Sequence, residues 1–304
     1  MSEQKPQTVP TTGHVWDGDL QEYNNPLPVW WVYTFYATVV FALVYWTIYP
    51  SWPFGNGWIG GVSKIDYVNS EGEAKTHSWN TRALLLADLN KAAIAQKPYF
   101  DKVEAMSYEQ IAKDPEMSGF ILSAGKSLFA DNCAPCHQAG GQGMIGFFPN
   151  LTDDDWLYGG SYEKLHETLM CGRRGYMPAF SEVLNGGQID QLANYVASLS
   201  GIDHDSAKAA AGDALFHGEA AGCYVCHGGD AKGRQELGAP NLSDNIWLWA
   251  NVPAAGSAEG KIAAIRGVIA SGLNKGVMPA WSARLTPEQI KVLTVYVHEL
   301  GGGQ

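Results

Sequence analysis

The chain is 304 residues long, 46% hydrophobic and only 17% charged, with a formal net charge of −11. That length accommodates two or three modest domains, and the acidic balance argues against a nucleic-acid partner, whose phosphates require clustered Lys and Arg. Five cysteines, at 133, 136, 171, 223 and 226, are an odd and clustered set that makes a poor disulfide framework.

In chain order, the first predicted element is a membrane span. No Asp, Glu, Lys or Arg occurs from Tyr23 to Ser63, and inside that window Val29–Tyr49 is a run of 21 residues. Such a run makes roughly 31 Å of helix at about 1.5 Å per residue, the thickness of a hydrocarbon core of about 30 Å. Trp30, Trp31 and Tyr33 at one end, and Tyr45, Trp46, Tyr49 and Trp52 at the other, resemble interfacial aromatic belts. Pro28, Pro50 and Pro53 mark the ends. A cleaved signal peptide needs a basic start, whereas residues 1–28 hold Glu3, Asp17, Asp19 and Glu22 against Lys5 alone. A retained single span over residues 29–50 is therefore expected, behind a segment 1–28. Lys5 and Lys64 are too few to orient it. Hydroxyls on Tyr33, Thr34, Tyr36 and Thr38 lie within the apolar stretch and offer interhelical hydrogen bonds to a membrane partner.

Residues 51–115 read as a connector. Pro50–Ser78 is rich in Gly, Trp and Pro, and the spacing of Leu84, Leu85, Asp88, Leu89 and Ala92 predicts a helix over Thr81–Ala95. The segment SYEQIAKDP, 107–115, closes this region.

The remainder repeats, as units 116–202 and 203–304. GKSLFADNCAPCH (125–137) answers GDALFHGEAAGCYVCH (212–227), and PNLTDDDWL (149–157) answers PNLSDNIWL (240–248). The stretch beginning MPAF at Met177 answers the one beginning MPAW at Met278, with Met to Tyr eighteen residues in both. Each unit ends in a helix with one apolar face, Ile189, Leu192, Tyr195, Val196 and Leu199 or Ile290, Leu293, Tyr296, Val297 and Leu300. Two homologous small α domains in tandem are predicted.

Cys133-x-x-Cys136-His137 and Cys223-x-x-Cys226-His227 carry the attachment signature of c-type haem. Two thiols add to the haem vinyl groups and the next residue sets an imidazole under the iron. Zinc needs a fourth ligand at metal spacing, and a thioredoxin-like pair needs a βαβ setting. The sixth ligand separates a carrier from a catalyst, because His/Met ligation raises the potential and closes the iron. Met177 and Met278 each precede Pro-Ala-aromatic at matching places. Met144 is only seven residues after His137, and Met170 has no counterpart in the second unit. The site expected is thus four thioether cysteines, with His137, His227, Met177 and Met278 as axial ligands of two covalent haem c groups.

Around them, Arg173 and Arg174 are either propionate partners or solvated loop residues, the second unit offering Lys275 instead. Trp156 and Trp247 are expected to pack on the haems, and Cys171 to be a small buried apolar residue. His14, His77, His166, His204, His217 and His298 have no symmetry between the units and read as surface or capping residues. Haem is attached on the far side of a bacterial inner membrane, so the residues after 50 are expected in the periplasm and residues 1–28 in the cytoplasm.

An acidic head running through DGDLQEYNNPLPVWW (17–31), one span, a connector and two cytochrome c domains resemble the dihaem subunit of cbb3-type cytochrome c oxidase, the FixP/CcoP family. The resemblance covers nearly the whole chain, and NNPLP running into tryptophans is its specific part; Val29 stands where the family often has a basic residue. It implies a mainly α chain with one N-terminal transmembrane helix and two tandem class I cytochrome c domains. It implies a donor cytochrome c, a monohaem cytochrome c subunit and a catalytic haem–copper subunit as partners, with the oxygen chemistry on that partner chain. Pairing of each Met within its own unit and pairing across the units both fit the sequence. A dihaem peroxidase is the rival enzyme class, disfavoured by a Met-Pro in both units; a dihaem subunit of a membrane dehydrogenase differs only by partner. The connector 51–115, parts of which look interfacial, holds the first unit near the membrane-bound partner while the link 200–211 is short, so the second unit is expected to face outward and its haem to take electrons from the donor, with Glu219, Asp230, Glu236 and Asp244 steering.

Overall fold

The computed structural model describes residues 9–68, 73–274 and 276–301. Lys5 and Lys275, used in the charge reading above, lie outside the described residues. The chain divides into two compact units between Gln96 and Lys97.

The first unit opens with a hairpin, β1 (Thr11–Trp16) against β2 (Leu20–Tyr23), joined by a tight turn. Asp17 and Gly18 take φ of 53° and 88°, and Asp19 N–H donates to Trp16 O at 3.3 Å. Primed hairpin turns need this positive φ pair. The apolar run forms α1 (Val29–Ile48), 20 residues with none buried, bounded by Pro28 and extended Tyr49. Thr34 and Thr38 donate their hydroxyls within the helix, to Trp30 O at 2.9 Å and Phe35 O at 2.7 Å. Those two donors are therefore already engaged within the helix. Two further hairpins follow: β3 (Pro53–Phe54) with β4 (Gly57–Trp58), and β5 (Lys64–Val68) with β6 (Ala74–Ser78). The helix α2 (Thr81–Ala105) runs past the expected 95 and through Pro98, and the boundary between the units falls inside it.

The second unit is helical. It contains α3 (Tyr108–Lys113), α4 (Pro115–Asn132), α5 (Ala134–His137), α6 (Tyr162–Cys171), α7 (Gly186–Leu199), α8 (Ser206–His217), α9 (Tyr224–His227), α10 (Ala258–Ser271) and α11 (Pro287–His298). Side-chain caps set most starts: Ser107, Asp114, Ser161, Asn185, Asp205, Ser257 and Thr286 each accept from the first turn. A pair of two-residue strands, β7 (Arg173–Arg174) and β8 (Val277–Met278), completes it.

Two cores form, and they exchange helices. α11 packs on α4 and α6, while α7 packs on α8 and α10. The first core therefore joins Met117, Ile121, Phe129, Cys133 and Leu165 to Ile290, Leu293 and Val297. The second joins Ile189, Leu192 and Val196 to Phe216, Ile265 and Ile269. Each closing helix thus crosses to the other sequence repeat, 116–202 or 203–304, within the second unit. Phe129 and Phe216 are both 1% exposed, and full burial of such a side chain stabilises by about 2–3 kcal/mol.

Candidate haem sites

The two Cys-x-x-Cys-His motifs form one-turn helices of the same shape. In each, the His N–H donates to the first Cys carbonyl at 2.9 Å, for His137 to Cys133 and for His227 to Cys223. The following loop folds back onto the turn: Gly143 N–H donates to His137 O at 2.9 Å and Gly233 N–H to His227 O at 2.8 Å. The first cysteine of each motif is more buried than the second, Cys136 and Cys226 being exposed.

Both imidazoles are buried and fixed. His137 Nδ1 lies 3.0 Å from Pro149 O, and His227 Nδ1 lies 3.0 Å from Pro240 O. Only a protonated Nδ1 can donate to a carbonyl, so Nε2 keeps the free lone pair that a metal needs. Burial lowers both histidine pKa values, which favours that neutral form. Burial also pushes the Cys133 and Cys223 thiols up to about 11. A redox dithiol works through a depressed thiol pKa, so these pairs do not resemble a thioredoxin-type site. Among the described residues no cluster of three or more His, Cys, Asp or Glu side chains stands ready for a metal ion.

The methionines are brought to the opposite motifs. Met177 lines a cavity with Cys223, Cys226 and His227, whereas Met278 packs against the core that contains Cys133. A short antiparallel ribbon makes this crossing. Arg173 pairs with Met278 and Arg174 with Val277, and Met177 bridges Leu273. Gly172 and Gly272, capping α6 and α10 with φ of 71° and 62°, each lie against the other repeat's Met-Pro-Ala backbone. A Cβ on Gly172 would strike Met278 O, and one on Gly272 would strike Met177 O, so only glycine allows the approach.

The cavity beside His227 measures about 450 Å³ and is lined largely by apolar side chains, among them Leu192, Phe216, Ile265 and Trp247. That volume lies within the range of cofactor pockets. In the other core Trp281 is 8% exposed and its Nε1 has no hydrogen-bond partner among the described residues. A buried donor left so is costly, and a bound group with acceptor oxygens would satisfy it. The donor set, two thiols with an imidazole of fixed tautomer and a thioether, fits haem c.

Other sequence expectations fare unevenly. Arg173 donates to Glu167 at 2.9 Å and to Thr168 Oγ1 at 2.9 Å, and stacks on Tyr158 at 4.7 Å. Exposed Arg174 reaches Asn274 at 3.4 Å. Trp247 lines the cavity and Trp156 packs on the first core. Cys171 is exposed, not buried: it ends α6, one residue before the capping Gly172 and off the face carrying buried Leu165 and Leu169. Asp244 is not an open surface carboxylate; it is half-buried near Asp153 and Asp155, both of which feel its charge. His298 is largely buried and stacks on Tyr162 at 4.0 Å. His217 fixes the loop after the second motif, its Nε2 lying 3.0 Å from Gly229 O. Sequence reading passed over Trp249, which also lines the cavity; it lies two residues past the repeated Trp, where the first repeat carries Tyr158, and that paired aromatic was the available signal.

Fold and motifs together define a c-type cytochrome with two haem-binding domains behind one apolar helix. Comparison with known proteins narrows this. Residues 8–56 match the family model of the N-terminal domain of cytochrome oxidase-cbb3, FixP; residues 121–196 match cytochrome c oxidase, cbb3-type, subunit III; residues 209–301 match cytochrome c. The cbb3-type cytochrome c oxidase subunit FixP of Azorhizobium caulinodans is 44% identical over 97% of this chain and 94% of its own length. Subunit CcoP of Cereibacter sphaeroides is 39% identical over 100% of this chain and 98% of its own. The chain belongs to the FixP/CcoP family of cbb3-type cytochrome c oxidase subunits, which leaves the peroxidase and dehydrogenase readings without support.

Proposed function

We propose that the chain is the electron-relay subunit of a cbb3-type terminal oxidase and carries two covalent haem c groups with crossed axial ligands. His137 pairs with Met278 on the haem of Cys133 and Cys136; His227 pairs with Met177 on the haem of Cys223 and Cys226. The observation that carries the crossing is Met177 in the wall of the cavity around His227. Bound haem supplies one-electron chemistry. The chain's own residues would do the rest: the histidines are held by Pro149 O and Pro240 O, Met177 and Met278 would hold the iron through their sulfurs and raise its potential, and the apolar cavity wall would exclude water.

The rims of the two sites support a direction of flow. Between Asp131 and Asp153 there is no Asp, Glu, Lys or Arg, and Met144, Ile145 and Phe147 are exposed there. Around the second motif Glu219, Asp230, Lys232, Arg234 and Glu236 are all exposed. Lasting interfaces favour apolar contact, whereas transient encounters use charge. In this reading the second site receives electrons from a donor cytochrome c, and the first passes them to the monohaem and haem–copper subunits. The haem domains lie in the periplasm and residues 1–28 in the cytoplasm, since c-type haem is attached outside.

Pyridine haemochrome analysis of the detergent-extracted chain is expected to give two haems per polypeptide. Mass spectrometry of what co-purifies is expected to find the catalytic oxidase subunits. One haem per chain, or a high-spin resting spectrum, would overturn the ligation; co-purification with a dehydrogenase would overturn the assignment to an oxidase. Activity of a periplasm-only reporter fused ahead of Val29 would reverse the topology.

A further inference from the structure

The end of α1 is sealed. A helix leaves its last four carbonyls without partners from further along the helix, and here the chain that follows supplies a donor to every one. Tyr49 N–H donates to Tyr45 O at 2.9 Å, Ser51 Oγ to Trp46 O at 3.2 Å, Val62 N–H to Thr47 O at 3.1 Å and Ser63 N–H to Ile48 O at 2.9 Å. Between these donors the chain makes the β3–β4 hairpin, closed by Ser51 N–H to Ile59 O at 3.3 Å and Ile59 N–H to Trp52 O at 2.8 Å. Trp52 packs edge-on against Trp46 with ring centroids 4.8 Å apart. The cap is thus fixed to the helix end by backbone, hydroxyl and ring.

Its outer surface is apolar. Phe54 is 80% exposed, Val62 70% and Trp58 69%, and no Asp, Glu, Lys or Arg occurs from Ser51 to Ser63. A helix end in water needs no such seal, because water satisfies its carbonyls, and a water-facing hairpin gains from charge. In a bilayer the opposite holds: each unpaired backbone group in hydrocarbon costs several kcal/mol, while Trp and other aromatics favour the interface.

We propose that the β3–β4 hairpin is a membrane-embedded cap, with Phe54 and Trp58 turned into the boundary between headgroups and acyl chains. Its partner is the lipid surface. The depth follows from length: 20 residues of α1 make about 30 Å, one hydrocarbon thickness, so Thr47 and Ile48 sit at that boundary. The hairpin is flanked by Ser51, bonded to Trp46 O, and by Val62 and Ser63, bonded to Thr47 O and Ile48 O, so it cannot leave that boundary. The proposal rests on α1 spanning the bilayer.

The test uses the full haem-loaded chain in its oxidase complex, reconstituted in vesicles of phosphatidylethanolamine and phosphatidylglycerol. On a Cys171→Ser background, which removes the one cysteine outside the haem motifs, nitroxides are attached through Phe54→Cys, Asn56→Cys and Trp58→Cys. Labels through Val40→Cys in the span and Lys75→Cys on β6 are references, and covalent haem content checks that each variant folds. Power saturation should give the hairpin labels an oxygen-to-nickel accessibility ratio several-fold above that at position 75 and below that at position 40. A ratio equal to that at position 75 would put the hairpin in water, and protection from both reagents would mean a protein partner covers it; either overturns the proposal. A low ratio at position 40 would remove the span itself, and the cap with it.

Discussion

Met177 and Leu273 each donate a backbone N–H to the other's carbonyl, both at 2.8 Å. This reciprocal pair lies where the two methionine loops cross, beside the Arg173–Met278 pairing of the β7–β8 ribbon. It gives the crossing a structural cause: each loop is bound to its counterpart before it reaches a haem site. Single-haem variants separate the two sites. With Cys223 and Cys226 replaced by serine, Met278→Leu should abolish the far-red methionine–iron band while Met177→Leu leaves it. With Cys133 and Cys136 replaced instead, the effects should exchange. A band that follows the methionine of the same repeat unit would show that ligation is not crossed.

Helix exchange makes a second prediction, about packing. Gly125 of α4 lies against Tyr296 of α11, where an added Cβ would come 2.6 Å from the tyrosine Cβ. Gly212 of α8 lies against α7, where an added Cβ would strike the Gln191 carbonyl. Overpacking of this kind costs typically 1–3 kcal/mol. Gly125→Ala should lower stability by about 2 kcal/mol, since Tyr296 Cβ is fixed to its backbone and yields only with a shift of α11. Gly212→Ala should cost about 3 kcal/mol, since the Gln191 carbonyl it meets is itself backbone. Denaturant unfolding followed by haem absorbance checks both, and equal costs would contradict the account.

Much of this was legible in the sequence, and what was not has a physical reason. The haem motifs, the paired Met-Pro and the span follow from local chemistry and hydropathy, which need no partner to be read. The exchange of α7 and α11 could not be read, because the two helices are interchangeable on paper. They carry the same apolar spacing and the same capping box, Asn185 with Gln188 and Thr286 with Gln289. Gly125 and Gly212 offer either one the same groove. Only tertiary packing distinguishes the two pairings. By contrast the β1–β2 turn is readable: Asp17-Gly18 is a hairpin signal.

A third prediction concerns pH. Asp155 is pushed up to about 6, chiefly by burial and then by the charges of Asp244 and Asp153. Burial likewise raises Asp153 and Asp244. A carboxyl whose folded pKa exceeds its unfolded value binds more protons in the folded state, so its stability contribution is complete below about pH 4 and is lost as pH rises to about 6. Asp155→Asn should remove that loss. Allowing for solvent screening of a half-buried group, it should raise stability near neutral pH by about 1 kcal/mol and flatten the slope between those limits. Guanidinium titrations at about pH 4.5 and about pH 7 compare the two; an unchanged slope would mean the cluster is already solvated.

The last prediction follows the direction of electron flow. A charged rim raises encounter rates by steering, an effect that fades as salt screens it over about 8–10 Å. Glu219, Asp230 and Glu236 are exposed around the second site, whereas Asp244 is withdrawn into the half-buried cluster and is no part of this rim. Reversing Glu219, Asp230 and Glu236 to lysine should therefore slow oxidation of a basic donor cytochrome at low ionic strength. The slowing should shrink as salt is added. Asp244→Asn should leave the donor rate unchanged. Replacing Met144 and Phe147 by serine, at the uncharged rim of the first site, should leave the donor step intact and slow the passage of electrons to the catalytic subunits, as stopped-flow reduction of the two haems would resolve. If the serine variants slow donor oxidation and the lysine variants do not, electrons enter at the first haem and the order proposed here is reversed.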